Sequence, residues 1–394
     1  MRFSALTERV AGRGSGAWSI NMRARQMIAD GGDVIMLTVG DPDQDAPPIM
    51  VDALKRALDD GKTGYSPILG TQELREAIAR RHAVRTGQPC TADNVVFVPG
   101  AQGGVYCALQ CLVGIGEEVI VPEPVYATYP GVIGASGATM VMVPLLPERG
   151  FHPDLDAMAA AVTPRTRVVW INSPHNPTGA VFTRDEIVAI AELCRRHDLW
   201  LLSDEVYEDL AFARPHVSPW SLAGMAERTV VVSSLSKSHA APGFRCGWII
   251  GPPKLAEHLF NLLLSMLYGS PGFIQEAALA ALKGDLPEVA ALRRDYEARA
   301  AMMTAVLAHA PKCRAIPPEG GMFVLLDIRG TGLGSQEFAL GLLEQEGVAV
   351  LPCDGFGPSA VGHLRIALSQ PKPRLKDAGD RIVRFAQRMG QQPA

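Results

Sequence analysis

Seven short apolar runs, spread between residues 94 and 252, constrain the fold of this chain more than any other feature. They are "NVVFVPG", "EEVIVPE", "TMVMVPL", "TRVVWIN", "LWLLSDE", "TVVVSSL" and "CGWIIGP". Several are apolar at nearly every position. Strict alternation would mark a strand with one wet face; a continuous short run fits a strand covered on both. Helical stretches lie between the runs. One opens at Thr183 with Glu186 three residues on, a capping box. Another runs from Thr71 to a stop at Gly87. This alternation predicts an α/β fold, a mostly parallel sheet with helices on both sides.

The ends of the chain read differently. The first forty residues are rich in Gly and Arg and finish in a short strand, "DVIMLTVG". After about Pro271 a long helical stretch, interrupted near Gly284 to Pro287, leads into "GGMFVLLDI", "GVAVLPC" and "HLRIALS". Strands in a run with flanking helices predict a smaller α+β domain. The "QQPA" tail is expected to fray.

Composition sets the outer limits. The 394 residues are 47% hydrophobic and 20% charged, with a formal net charge of -4. Bulk electrostatics therefore do not suggest a nucleic-acid partner. No apolar run is long enough to span a bilayer, and the first residues lack a secretory signal. Seven cysteines are scattered in a spacing that fits neither a zinc site nor a disulfide framework. Cys107 and Cys111 read as neighbours on one helical face. A reduced, cytoplasmic protein is the expectation.

In open α/β sheets ligands bind beyond the carboxyl ends of the strands, so the residues that follow each run matter most. After "NVVFV" comes "PGAQGGVYCAL", a Gly-rich turn opening a helix. Backbone N–H groups at Ala101 and Gln102 there suit an anionic phosphate, or the turn has no ligand at all. After "TRVVWIN" comes "SPHNPTG", where Pro174 and Pro177 stiffen the loop around Asn176. Its amide could donate to a ligand or serve turn chemistry alone. After "LWLLS" comes Asp204, with Tyr207 three residues later. A buried acid needs a partner such as a cationic ring nitrogen, unless it merely caps a helix. After "TVVVSSL" come Ser236 and Lys237, with Arg245 eight positions beyond the lysine. Ser234, Ser236 and the fork of Arg245 could bind a dianion. Each feature is ambiguous alone. Phosphate donors, an amide, an acid and a lysine at four strand ends together suit one ligand, a phosphorylated pyridine aldehyde held by a lysine amine.

With "VGDPD", "GYSPILGTQELREAI", "EPVYATY", "NSPHNPTGA", "SDEVYEDL", "SLSKSHAAPGFRCGW" and "HLRIALS" in this order, the chain resembles the fold-type-I, class I/II pyridoxal-phosphate aminotransferases over essentially its whole length. Further motifs, including "HVSPWSL", "MLYGSPGFIQ" and "GFGPSAVGHLRI", are similar to those of the bacterial arginine–pyruvate transaminase subgroup. The resemblance implies a large pyridoxal-phosphate-binding domain at 46–285 around a seven-stranded sheet. It also implies an arm and part of the small domain at 1–45, and a small C-terminal domain at 286–394. Lys237 would bind pyridoxal 5′-phosphate as a Schiff base and then shuttle a proton. Asp204 would pair with the ring nitrogen, Asn176 and Tyr207 with the phenolic oxygen, and Tyr126 would stack on the ring. The phosphate would be held by Ala101, Gln102, Ser234, Ser236 and Arg245, and by Tyr65 of a neighbouring subunit. Arg365 would grip the substrate α-carboxylate beside Gly40. The implied reaction is ping-pong transamination between an amino acid and a 2-keto acid, L-arginine and pyruvate first, in a homodimer with shared active sites.

Other readings stay open at this point. They are an aspartate- or aromatic-type aminotransferase, another pyridoxal-phosphate enzyme such as a carbon–sulfur lyase, and a non-catalytic regulator on the same scaffold. Two departures from the family pattern stand out. Pro242 replaces a frequent threonine and is expected to stiffen the approach to Arg245. Gln44 replaces a frequent aromatic near the substrate entrance. Nearby, Asp43 and Asp45 are expected to cap the helix "PPIMVDALKRAL", or else to attract a guanidinium.

Overall fold

The computed structural model describes residues 1–11 and 15–390; the "QQPA" tail lies outside them. In chain order the first strands are β1 (Ile35–Met36), β2 (Val95–Pro99), β3 (Glu118–Glu123), β4 (Thr139–Pro144), β5 (Thr166–Asn172), β6 (Trp200–Asp204), β7 (Thr229–Ser234) and β8 (Cys246–Ile250). After them come β9 (Arg314–Ile316), β10 (Phe323–Asp327), β11 (Val348–Ala349), β12 (Leu351–Pro352) and β13 (His363–Ala367).

The seven apolar runs form one sheet in the order β2-β8-β7-β6-β5-β3-β4. Only β8 runs antiparallel to its neighbours. Burial on both faces explains the unbroken apolar runs. Val96, Val98, Val168, Leu202 and Val232 pack in one cluster with the helices Gly100–Leu112 and Pro253–Met266. Val169, Ile171 and Leu201 pack on the opposite side with Ile187, Ile190 and Ala191 of the helix Arg184–Arg196. Each such side chain contributes about 1.5–3 kcal/mol when removed from water. That helix begins with the expected capping box, Thr183 and Glu186 bonding reciprocally. The helix Gln72–Thr86 stops at Gly87, whose φ of 67° is left-handed.

One strand departs from expectation. β4 is apolar in sequence but lies at the sheet edge, and Met142 on it is exposed. Composition does not distinguish an edge strand from a central one, because position is decided by topology.

The second half of the fold joins the two ends of the chain. A four-stranded antiparallel sheet has the order β12-β13-β10-β9. The run "GVAVLPC" splits: β11 pairs in parallel with β1, and β12 pairs with β13. Ile20, Ala24, Ile35 and Leu37 share one core with Leu326, Phe338, Ile366 and Phe385. The expected interruption falls between the helices Gly272–Leu282 and Pro287–Leu307. After β1 the N-terminal segment stays beside β13. Ala367 donates its N–H to Leu37 O at 3.0 Å, and Ser369 Oγ donates to Val39 O at 2.8 Å.

Candidate active site

The carboxyl ends of β5, β6 and β7 open into a cavity of about 260 Å³ between the two sheets. Of the residues singled out in the sequence, Gly40, Ala101, Gln102, Tyr126, Asn176, Asp204, Tyr207, Ser234, Ser236, Lys237, Arg245 and Arg365 all line it. Tyr65 does not. It is exposed and rests against Tyr268, ring centroids 4.8 Å apart.

Strand register explains the acid. Asn172 ends β5 directly beside Asp204 at the end of β6, and its Nδ2 donates to Asp204 O at 3.0 Å. The Asp204 side chain is buried and accepts from Tyr129 Oη at 2.7 Å and from the Val206 N–H at 3.2 Å. Burial pushes its carboxyl up to about 6, against the pull of those two donors. It makes no ion pair among the described residues.

Lys237 lies in a short helix after β7. Its ammonium donates to Gly40 O at 2.5 Å. Burial brings its pKa down to about 8; the guanidinium groups of Arg365 and Arg245 act the same way and the carboxylate of Asp41 opposes them. Gly40 has no room for a side chain, since a Cβ would lie 2.5 Å from Phe323 Cζ.

Arg365 projects from β13 and is buried. Its Nη1 donates to Asn176 Oδ1 at 3.0 Å and its Nη2 to Thr38 O at 2.7 Å, while Nε has no partner among the described residues. The Phe323 ring lies 4.2 Å from the guanidinium carbon and that of Phe356 5.5 Å. Asn176 is itself held through its N–H, which donates to Asn172 Oδ1 at 2.8 Å.

The opposite end of the cavity is the start of the helix Gly100–Leu112. No side chain caps this helix, so its first N–H groups face the cavity end unfilled. Arg245 has a left-handed φ of 55° after the turn at Pro242. It donates to Pro242 O at 2.8 Å and to Pro99 O at 3.1 Å, so its guanidinium stands beside the helix start. Ser234 Oγ accepts from the Ser236 N–H at 3.3 Å.

Sequence reasoning missed four contributors. Tyr129 holds Asp204 and stacks on Trp170 with centroids 3.7 Å apart. Asn172 links Asn176 to the Asp204 backbone. Phe323 and Phe356 frame Arg365. Tyr129 was available in "PVYATY", where it opens the helix Tyr129–Ser136 and meets the Tyr126 ring edge-on, centroids 5.9 Å apart. One expectation is corrected. The helix Pro48–Asp59 has no side-chain cap. Asp43 instead pairs with Arg299 at 2.6 Å, so it neither caps nor stands free for a substrate guanidinium.

The two sheets and the cavity between them define a fold-type-I α/β transferase. Residues 32–382 match the family model described as aminotransferase class I and II, and the chain belongs to that family. It is 49% identical over 383 residues to the arginine–pyruvate transaminase AruH of Pseudomonas aeruginosa, covering 97% of this chain and 98% of that one. It is 34% identical to the aspartate/prephenate aminotransferase of Thermus thermophilus, covering 93% and 94%. The solved aspartate aminotransferase from Thermus thermophilus with maleate superposes with a TM-score of 0.92 at 33% identity, covering 98% and 100%. The enzyme is thus an aminotransferase, and its cofactor is pyridoxal 5′-phosphate. The cavity fits that group: a buried acid without an ion-pair partner among the described residues faces it, and an amine of lowered pKa lines it.

Proposed function

We propose that this enzyme transaminates L-arginine, with pyruvate as the amino acceptor. Two things support the pair. One is the 49% identity to a protein named for it. The other is the inventory of cations around the cavity, which carries the reading. Among the described lining residues only Lys237, Arg245 and Arg365 are cationic, and each has a task at the cofactor or the α-carboxylate. A donor with a second carboxylate would find no cation of this chain to receive it. That weighs against the aspartate-type reading, which the relatives of lower identity favour by name.

In this reading Arg365 grips the substrate α-carboxylate as a two-pronged fork, and Asn176 and Thr38 hold the fork in plane. Tyr126 would lie against the cofactor ring, and Asn176 and Tyr207 would hold its phenolic oxygen. Ala101, Gln102, Ser234, Ser236 and Arg245 receive the phosphate, with Tyr65 reaching in from a second subunit. When bound, the cofactor supplies a carbonyl that condenses with amines and a cationic ring that accepts the electron pair left at Cα. Asp204 holds the ring-nitrogen proton in place. Lys237 takes the proton from Cα and returns it on the other side of the transfer; a pKa near 8 lets a useful fraction of the amine be neutral. Arg365, by fixing the carboxylate, selects which Cα bond breaks.

The same reading takes the protein as a homodimer, working inside the cell, with the chain divided at 1–45, 46–285 and 286–394. Support for the dimer is an exposed apolar strip on and after the helix Pro253–Met266, comprising Phe260, Leu264, Met266, Leu267 and Tyr268, with Tyr65 alongside. No described helix is long and apolar enough to cross a membrane.

A panel of L-amino acids against the purified holoenzyme, with pyruvate and 2-oxoglutarate as acceptors, tests the substrate pair. Arginine with pyruvate should give the highest kcat/KM; a preference for aspartate would overturn the reading. Borohydride reduction followed by proteolysis should tag Lys237, and a tag on another residue would refute its role.

A further inference from the structure

The segment that carries Gly40 is short of ordinary support. β1 ends at Met36, and residues 39 to 45 belong to no helix or strand. Yet Gly40 O meets the Lys237 amine, and Thr38, Val39 and Gly40 line the substrate end of the cavity. At its far end the segment is gripped by Arg299 and Asp295. Arg299, 4% exposed, projects from the helix Pro287–Leu307. It donates to both oxygens of Asp43, at 2.6 and 3.1 Å, and to Leu368 O at 2.8 Å. Asp295 completes its shell at 2.6 Å, and Gln44 donates to the same carboxylate at 3.2 Å. Leu368 directly follows β13, three residues after Arg365. Before Gly40 the segment is tied to β13 by Ala367, Ser369 and Arg365; beyond Gly40 the Arg299 guanidinium adds a tie from Asp43 to the residue that follows the same strand.

We propose that the Arg299–Asp43 pair is a positioning clamp, which sets the distance between the Gly40 backbone and Arg365 and so the fit of the substrate's α-carboxylate end. Arg299 touches neither substrate nor cofactor; it acts through the segment it holds. Arginine suits the task because its planar fork spans two carboxylate oxygens and a carbonyl at once, which a lysine cannot do. The clamp rests on the reading of this cavity as the active site.

The test uses holoenzyme and 2-methylalanine, an amino acid with no α-hydrogen to lose, whose binding is followed in the cofactor's absorbance without turnover. Asp43→Asn should raise its Kd about tenfold or more, since ångström-scale misplacement of a binding group costs up to roughly a hundredfold. It should raise KM for L-arginine and for L-alanine together and leave kcat within about threefold. Arg299→Lys, which keeps a charge for both acids, should show the same split more weakly and guards against an unfolded first variant. Asp327→Asn, which weakens a half-exposed ion pair with Arg329 away from the segment, controls for lost stability and should leave Kd unchanged. Unchanged Kd in both clamp variants, or an equal rise in Asp327→Asn, overturns the clamp. A wild-type holoenzyme whose absorbance does not respond to any amino acid overturns the site reading beneath it.

Discussion

A carboxyl buried as Asp204 is, with one hydroxyl and one amide N–H beside it, resists ionising. Its folded pKa of about 6 lies above the ordinary 3.8. Stability is therefore unaffected below about pH 4 and lost progressively as pH rises through 6, by on the order of 3 kcal/mol without a cation nearby. In the proposed site the cofactor's ring nitrogen would supply that cation. Asp204→Asn should raise the melting temperature of the cofactor-free protein above pH 6 by several degrees, make little difference at pH 4, and lose most of the stabilisation that cofactor gives wild type. Calorimetry with and without cofactor, at the two pH values, checks all three. Tyr129→Phe removes the shorter of the acid's two hydrogen bonds, worth about 1.5–3 kcal/mol to a charged acceptor. The cofactor's absorbance should then titrate at a visibly different pH from wild type, while an unmoved titration would reduce Tyr129 to packing. Arg365→Lys should lower kcat/KM by about a hundredfold for many donors alike, because a point charge cannot replace a bidentate fork. A loss confined to one donor side chain would contradict the α-carboxylate role.

The start of the helix Gly100–Leu112 is placed by backbone contact. Gly247 on β8 faces Gly100 so closely that a Cβ would overlap the Gly100 backbone, and a Cβ on Gly104 would lie 2.7 Å from Val232 Cγ1. The helix can bring its first N–H groups to the cavity only because Gly247 on β8 and Gly104 on the helix itself leave room. Gly247→Ala should push the helix start outward. We expect a loss of at least about 2 kcal/mol in unfolding free energy from overpacking, together with a cofactor Kd raised tenfold or more. Equilibrium dialysis of the cofactor against folded variant separates the two effects. The neighbouring Arg245 depends on the same geometry, since its left-handed backbone and its bonds to Pro242 and Pro99 aim it at that helix start.

For the whole molecule the sharpest expectation concerns the apolar strip around Tyr268. Placing charge there, as in Leu264→Asp, should convert a dimer to monomer in analytical ultracentrifugation. Activity should fall with it, because Tyr65 does not line the cavity around Lys237 in its own chain. A monomeric variant of full activity would mean that each chain works alone. The seven apolar runs and their connecting helices were legible because a strand buried on both faces must be apolar throughout, and that is a local property. So were the residues at the strand ends, since topology puts those ends at one edge. The exposure of β4 was not legible, nor the splitting of "GVAVLPC" between two sheets, because both depend on which neighbour each strand meets.

Local order thus determined the layered fold, the helix caps and the set of residues that the cavity would draw on. Tertiary structure alone decided the bonds that orient them: Tyr129 to Asp204, Asn176 to Arg365 and Asp43 to Arg299. These partners lie 75, 189 and 256 residues apart. Periodicity along a chain records which face of an element is buried. It carries no trace of the side chain that a distant loop brings to that face, and so Asp43, expected as a helix cap, pairs with Arg299 instead.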